Sequence, residues 1–186
     1  MIHWEDGNTL LMRIQPLADV DRQKVETLLD AAFGSNRHLR TAYKLRAGST
    51  EIPSLSFAAM EGDALIGSLQ SWPIELQCEN RDPEPLVMVG PVAVAPDRQR
   101  GGIGVSLMNH MINAADYLGE DAMMLIGDPE YYDRLFNFSA VHTGNWDVPG
   151  PVERHRLLAR LNSTRLIGRR GMLAPGSSAV GIRATA

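Results

Sequence analysis

The sequence predicts strands and helices of the α/β (α+β) class, and three observations carry that expectation. Trp72, Ile74, Leu76 and Cys78 alternate with Pro73, Glu75 and Gln77, the period of two expected of a half-buried strand. Leu86 to Ala95 is a nearly continuous apolar run, as in a strand covered on both faces. Leu107, Met108, Met111, Ile112, Ala115 and Leu118 fall on one face of a helix.

Taken in order, Leu10 to Ile14 reads as a first strand that Pro16 ends. Asp19 or Asp21 then caps a helix whose stripe is Val25, Leu28, Leu29, Ala32 and Phe33, closed by Gly34-Ser35-Asn36. A second helix is expected over Arg37 to Arg46, and a loop over Gly48 to Pro53. Leu55 to Met60 is a strand, and Glu61-Gly62-Asp63 is a hairpin turn into the strand from Ala64. Pro73 marks an edge or a bulge there, since it donates nothing to a ladder. The Glu79–Pro85 loop, the strand Leu86 to Ala95 and the helix Ile103 to Leu118 follow, with Gly119 as terminator. Ala122 to Ile126 is an apolar strand, and Asp128-Pro129 opens a helix through Phe136. Phe138 to Val141 begins a strand, Thr143 to Pro151 is loop, and Arg154 to Leu161 alternates as a last strand. The tail from Asn162 is expected to be irregular. One domain over 1–161 with an Arg/Gly/Ser-rich tail over 162–186, packed on the domain or on a second subunit, accounts for the 186 residues.

Composition narrows the function. The net charge of −4 argues against an electrostatic nucleic-acid binder. That sum hides a split: residues 1–150 carry 11 basic and 21 acidic side chains, whereas 151–186 carry seven basic and one acidic. Cys78 is the single cysteine, too few for an internal disulfide or a Cys-rich metal site, and no metal is expected. The start Met1-Ile2-His3-Trp4-Glu5-Asp6 lacks the pattern of a signal peptide, and no apolar run approaches the ~20 residues that span a bilayer. A cytoplasmic protein without membrane association is the expectation.

Chemistry points to Gln99-Arg100-Gly101-Gly102-Ile103-Gly104, a Gly-rich turn between an apolar strand and a long helix. Glycines there allow close backbone approach, and the helix mouth offers unpaired N–H groups and partial positive charge to a phosphate. Arg98 and Arg100 flank the turn and could add charge-assisted contacts. Other Gly-loop motifs fail. Val105 stands where a P-loop needs lysine, and Leu107 where the dinucleotide fingerprint needs a small residue. Ser106 lacks the glycine two residues on that a nucleophile elbow requires.

The pattern Gln99-x-x-Gly102-x-Gly104, after Val92-Ala93-Val94-Ala95-Pro96, resembles the acyl-CoA signature of the GCN5-related N-acetyltransferase (GNAT) superfamily. Gly127-Asp128-Pro129-Glu130-Tyr131-Tyr132-Asp133-Arg134, then Asn137-Phe138-Ser139-Ala140, resembles a segment of one branch of predicted bacterial members, as does Pro149 to Leu158. The resemblance implies a GNAT fold: a central mixed, mostly antiparallel sheet of about seven strands, helices on both faces, and splayed parallel fourth and fifth strands. It implies acetyl-CoA as co-substrate and a primary amine as acceptor, in a pocket built by the first two helices and loops near the last strands. A homodimer is compatible with it.

By the same resemblance, backbone groups of Val92, Ala93 and Val94 meet the acetyl carbonyl and pantetheine. The pyrophosphate faces the N–H groups of Arg100, Gly101, Gly102, Ile103, Gly104 and Val105. Tyr132 is the general acid to the CoA thiolate, with Tyr131 the alternative. Two departures stand out. The family usually has Gly-Phe where this chain has Asn137-Phe138, and counting back from Asn137 puts Asp133 in the acid's slot. The fourth strand, Leu86 to Ala95, lacks the glutamate that many members use as base, leaving Glu75, Glu79, His142 or water. A non-catalytic acyl-CoA-binding module on the same fold is the alternative function. Trp72 and Trp146 are candidates for either the pocket or the core.

Overall fold

The computed structural model describes residues 11–176; Leu10, His3 and the tail beyond 176, Arg183 included, lie outside the described residues. The chain runs β1 (Met12–Pro16), α1 (Arg22–Phe33), α2 (Thr41–Leu45), β2 (Phe57–Glu61), β3 (Ala64–Gln77), β4 (Glu84–Val94) and α3 (Ile103–Tyr117). It continues β5 (Ala122–Ile126), α4 (Pro129–Phe136), β6 (Trp146–Asp147), β7 (Leu157–Leu161) and β8 (Gly171–Pro175). One eight-stranded sheet has the order β1-β2-β3-β4-β5-β7, with β8 joined to β3 and β6. β4–β5 and β6–β8 are parallel and the other pairs antiparallel.

The apolar runs are explained by two cores, one on each face of the sheet. Val87 and Val89 of β4, and Met123 and Leu125 of β5, join the α3 and α4 core. Their neighbours Leu86, Met88, Ala122 and Met124 point the other way, into a core with Leu45 of α2 and Trp146. α1 covers the rest of that second face, over Ala58 and Met60. Asp21 caps α1 through Gln23 N–H, and Asp128 caps α4 through Glu130 N–H.

Several local expectations need correction. Residues 35–39 form a 3-10 turn, so the helix expected over Arg37 to Arg46 shrinks to Thr41–Leu45. The strand expected from Phe138 is a single bridge, Ser139 to Ala159, and the last stretch is strand only from Leu157. The loop after Thr143 contains β6. The expected irregular tail instead returns to the sheet: β8 pairs Ile74 through Gln77 of β3. β2 occupies the first half of the same β3 edge, and Pro73 sits in the gap between these two neighbours, where no ladder N–H is needed.

The basic end lies on the acidic body. Arg165 pairs with Glu84 at 2.8 Å and Asp121 at 2.6 Å, and Arg160 with Asp116 at 3.1 Å. Among the described residues no helix is long and apolar enough to cross a membrane.

Candidate functional site

The site begins where two parallel strands part. β4 and β5 are in register only at Val87–Met123 and Met88–Met124. Just beyond, Leu69 of β3 faces Val92 while Ser71 faces Val89, so Gly90 and Pro91 together oppose Gln70. Two residues against one is a β-bulge, which bends its strand. From Val89 onward the β4 edge that faced β5 has no ladder partner among the described residues.

A cleft of about 750 Å³ opens at this fork. Met88 to Val92 form one wall, and Leu125 to Asp128 with Tyr132 form the other. α1, α2 and the turn at Pro151 complete it. Thr41 Oγ1 donates to Pro151 O at 2.6 Å and ties α2 to that turn.

Tyr132 reaches the cleft because of Gly127. A Cβ built on Gly127 would lie 2.4 Å from Tyr132 Cε2, so the ring occupies the space a side chain would need. Tyr131 packs edge-on against it, with centroids 4.9 Å apart and planes at 89°. Burial, helped by Tyr131 and Asp128, pushes the Tyr132 phenol up to about 12. Burial alone raises Tyr131. Tyr131 points elsewhere: its hydroxyl is 3.6 Å from where a Cβ on Gly104 would sit, at the start of α3, and it does not line the cleft. Asp133 is exposed and does not line it either. Asn137 takes the left-handed cap of α4 at φ 59°, a conformation open to asparagine as well as glycine.

Gly127→Ala is expected to destabilise the fold by about 1–3 kcal/mol, because the ring or the end of β5 must shift. A chemical denaturation midpoint equal to that of the parent protein would show that the ring yields freely.

The second half of the site is the mouth of α3. Gly102 is its N-cap at φ 76°, with no side-chain cap. Ser106 N–H, donating to Gly102 O at 2.9 Å, is the first amide to enter the helix ladder. The amides of Ile103, Gly104 and Val105 precede it, in the first turn that leaves N–H groups open. Arg100 also has a left-handed backbone, at φ 69°, and both it and Gly101 are exposed. Gln99 follows the 3-10 turn Pro96–Arg98 as its C-cap. Arg98 is engaged by Glu61 at 2.8 Å and Asp97 at 3.5 Å.

Of the named site residues, Val92 and Tyr132 line the cleft, whereas Ala93 and Val94 continue β4 toward the helix mouth. The proposed bases do not reach the cleft. Glu75 accepts from the side chain of Gln77, two residues on along β3, Glu79 is exposed, and His142 belongs to a separate 3-10 turn. Glu84, at the start of β4, is paired with Arg165. The carboxylates that do line the cleft are Asp128 and Glu153. Trp146 is fully buried core, and Trp72 stacks on Arg46. Arg37, Arg46, Tyr43 and Arg156 are cleft residues that the sequence did not single out as site residues. Among the described residues no group of three or more His, Cys, Asp or Glu could hold a metal.

A family profile described as an acetyltransferase (GNAT) domain matches residues 13–139. Comparison with curated proteins gives no match. A GNAT family N-acetyltransferase (YhbS) from Escherichia coli, solved in complex with CoA, superposes with a TM-score of 0.69 at 21% identity, covering 94% of this chain and 93% of that one. A GNAT family acetyltransferase from Brucella melitensis, in complex with acetyl-CoA, gives 0.63 at 23% identity, covering 89% and 96%. At these identities the likeness is one of fold.

Proposed function

The chain belongs to the GNAT acetyltransferase family, and on that premise we propose that it transfers an acetyl group from acetyl-CoA to the primary amine of a small molecule or peptide. The observation that carries this reading is the fork: parallel strands part at Met88 and Met124, with Tyr132 on one wall and an uncapped α3 mouth nearby. The CoA and acetyl-CoA bound to the two similar structures support it.

The residues fit the co-substrate. The unpaired edge of β4 through Val92, Ala93 and Val94 offers N–H and C=O groups to the amide-bearing pantetheine arm, as a strand edge does to a peptide. The first-turn amides from Ile103 to Val105, with Arg100 and Gly101 beside them, suit the pyrophosphate. The amine lone pair attacks the thioester carbonyl carbon, and the carbon–sulfur bond breaks. Tyr132 Oη gives its proton to the departing thiolate. The acceptor nitrogen loses its own proton to water or to Asp128 or Glu153, the carboxylates on the cleft wall.

A coupled free-thiol assay over a panel of amines tests the reading, and no turnover despite acetyl-CoA binding would refute it. That outcome would favour a non-catalytic acyl-CoA-binding module, the reading to which the lack of a carboxylate on β4 beyond Glu84 lends support. The helix mouth is tested separately. At Gly104 a Cβ meets only ordinary contacts, 3.6 Å from Tyr131 Oη and 3.8 Å from Val94 Cγ2. Gly104→Glu should therefore fold but place an anion against the phosphates. We expect the Kd for CoA to rise at least about tenfold by calorimetry, from the combined loss of helix-dipole and hydrogen-bond interactions. An unchanged Kd would move the pyrophosphate elsewhere.

A further inference from the structure

We infer that the acceptor is an anionic amine, a small primary amine that also carries a carboxylate or phosphate, and that Arg46 grips its oxyanion. This inference rests on the acetyl-transfer reading and names the substrate class of the same cleft.

Arg46 lines the cleft yet is only 7% exposed. Its guanidinium carbon lies over two rings, 3.7 Å from the centroid of Tyr43 and 4.7 Å from that of Trp72. Stacking of this kind holds the planar fork in one orientation. It donates to Gln70 Oε1 at 3.5 Å, a long bond, and Gln70 in turn donates to Glu51 at 2.8 Å. Among the described residues no carboxylate comes within 4.0 Å of it. A buried cation without a paired anion is costly, and burial accordingly lowers its pKa. A ligand oxyanion would complete the site, since a guanidinium binds carboxylate or phosphate through two parallel N–H bonds.

The neighbouring charges agree. Arg37, also buried, is already satisfied by Glu26, by Asp30 at 2.8 Å and by the Tyr43 hydroxyl. Arg40 and Arg156 line the same cleft, and neither has a carboxylate within 4.0 Å among the described residues. Against these stand Asp128, exposed at the head of α4, and Glu153, which is 3.4 Å from His155. Three guanidiniums without carboxylate partners therefore face two carboxylates, and the most buried of the three is fixed in orientation. An amine of the polyamine type would meet repulsion there.

The test uses matched pairs with the full-length protein: glycine against glycinamide, γ-aminobutyrate against butylamine, and O-phosphoethanolamine against ethanolamine, with spermidine as a cation. In the thiol-release assay, kcat/KM should be at least about tenfold higher for the anionic member of one or more pairs. Which pair responds distinguishes carboxylate from phosphate. Arg46→Gln and the exposed Arg156→Gln should raise KM for that amine, leaving KM for acetyl-CoA unchanged. Arg46→Lys, which keeps the charge but loses the fork, should recover only part of the loss. A second readout needs no turnover: binding of the same amines to the CoA complex, followed by calorimetry and by the fluorescence of Trp72, should depend on Arg46. Turnover with no preference for the anion, or preference for spermidine, overturns this inference and leaves acetyl transfer standing. Anion binding that depends on Arg46 without any turnover keeps Arg46 as an anion site but refutes acetyl transfer, and with it the acceptor role inferred here. The absence of both anion preference and Arg46-dependent binding also overturns the inference.

Discussion

Tyr132→Phe is expected to lower kcat for acetyl transfer by about a hundredfold or more, the scale of a lost general acid, while the Kd for CoA changes by less than about twofold. The reason is local. The ring would keep its seat on Gly127 and its contact with Tyr131, because only the hydroxyl is removed. Among the described residues that hydroxyl has no hydrogen-bond partner, so the fold loses nothing with it. A fall in rate could not then be ascribed to unfolding, and equal thermal midpoints would document this. Tyr131→Phe is the control, expected to have a much smaller effect on kcat because that hydroxyl faces the start of α3. A kcat equal to that of the parent protein in Tyr132→Phe would remove Tyr132 from the mechanism.

The elevated phenol adds a pH signature. With its pKa near 12, Tyr132 keeps its proton throughout the neutral and mildly alkaline range. The rate should rise as the acceptor amine deprotonates and should not fall before about pH 10, the value of an ordinary phenol. Because the folded value lies above the unfolded one, this group's contribution to stability is complete below about pH 10 and is lost as pH climbs through about 12.

Trp146→Ala should be the most damaging core change, costing about 3–5 kcal/mol in chemical denaturation. Trp146 is fully buried, the largest such side chain among the described residues, on a strand of only two residues. It pairs with Gly171 of β8 and packs in a core with Leu45, Leu166 and Leu173. It therefore joins the returning end of the chain to α2 and to the main sheet. Trp146→Phe should cost much less. Among the described residues the indole Nε1 has no hydrogen-bond partner, so phenylalanine loses volume but no polar contact. Equal costs for the two variants would mean that the ring is not the keystone of this core.

Much of this molecule was legible in residue order. The period of two in β3 and the helical stripe of α3 each told which face is buried, and the apolar run of β4 told that both of its faces are. The Gly-rich turn announced an uncapped helix mouth, because Gly102 needs a left-handed backbone and brings no capping side chain. The family resemblance rested on such local strings. What residue order could not say is what each buried face meets. Gly171 to Pro175 looked like tail and is a strand, since β3 leaves half of one edge open beyond Pro73.

The two tyrosines show the same division. Adjacent in sequence, they are distinguished only by Gly127, which leaves room for one ring beside the cleft. Arg46 shows it most sharply: a charged residue after a short helix reads as surface, yet Tyr43 and Trp72, from two separate elements, close over it. Local sequence governs backbone geometry and the sign of each face, through sterics and hydrophobicity acting over a few residues. The charge that the cleft presents was decided by tertiary packing, because Arg46 and Trp72, far apart in sequence, are brought to 4.7 Å of one another.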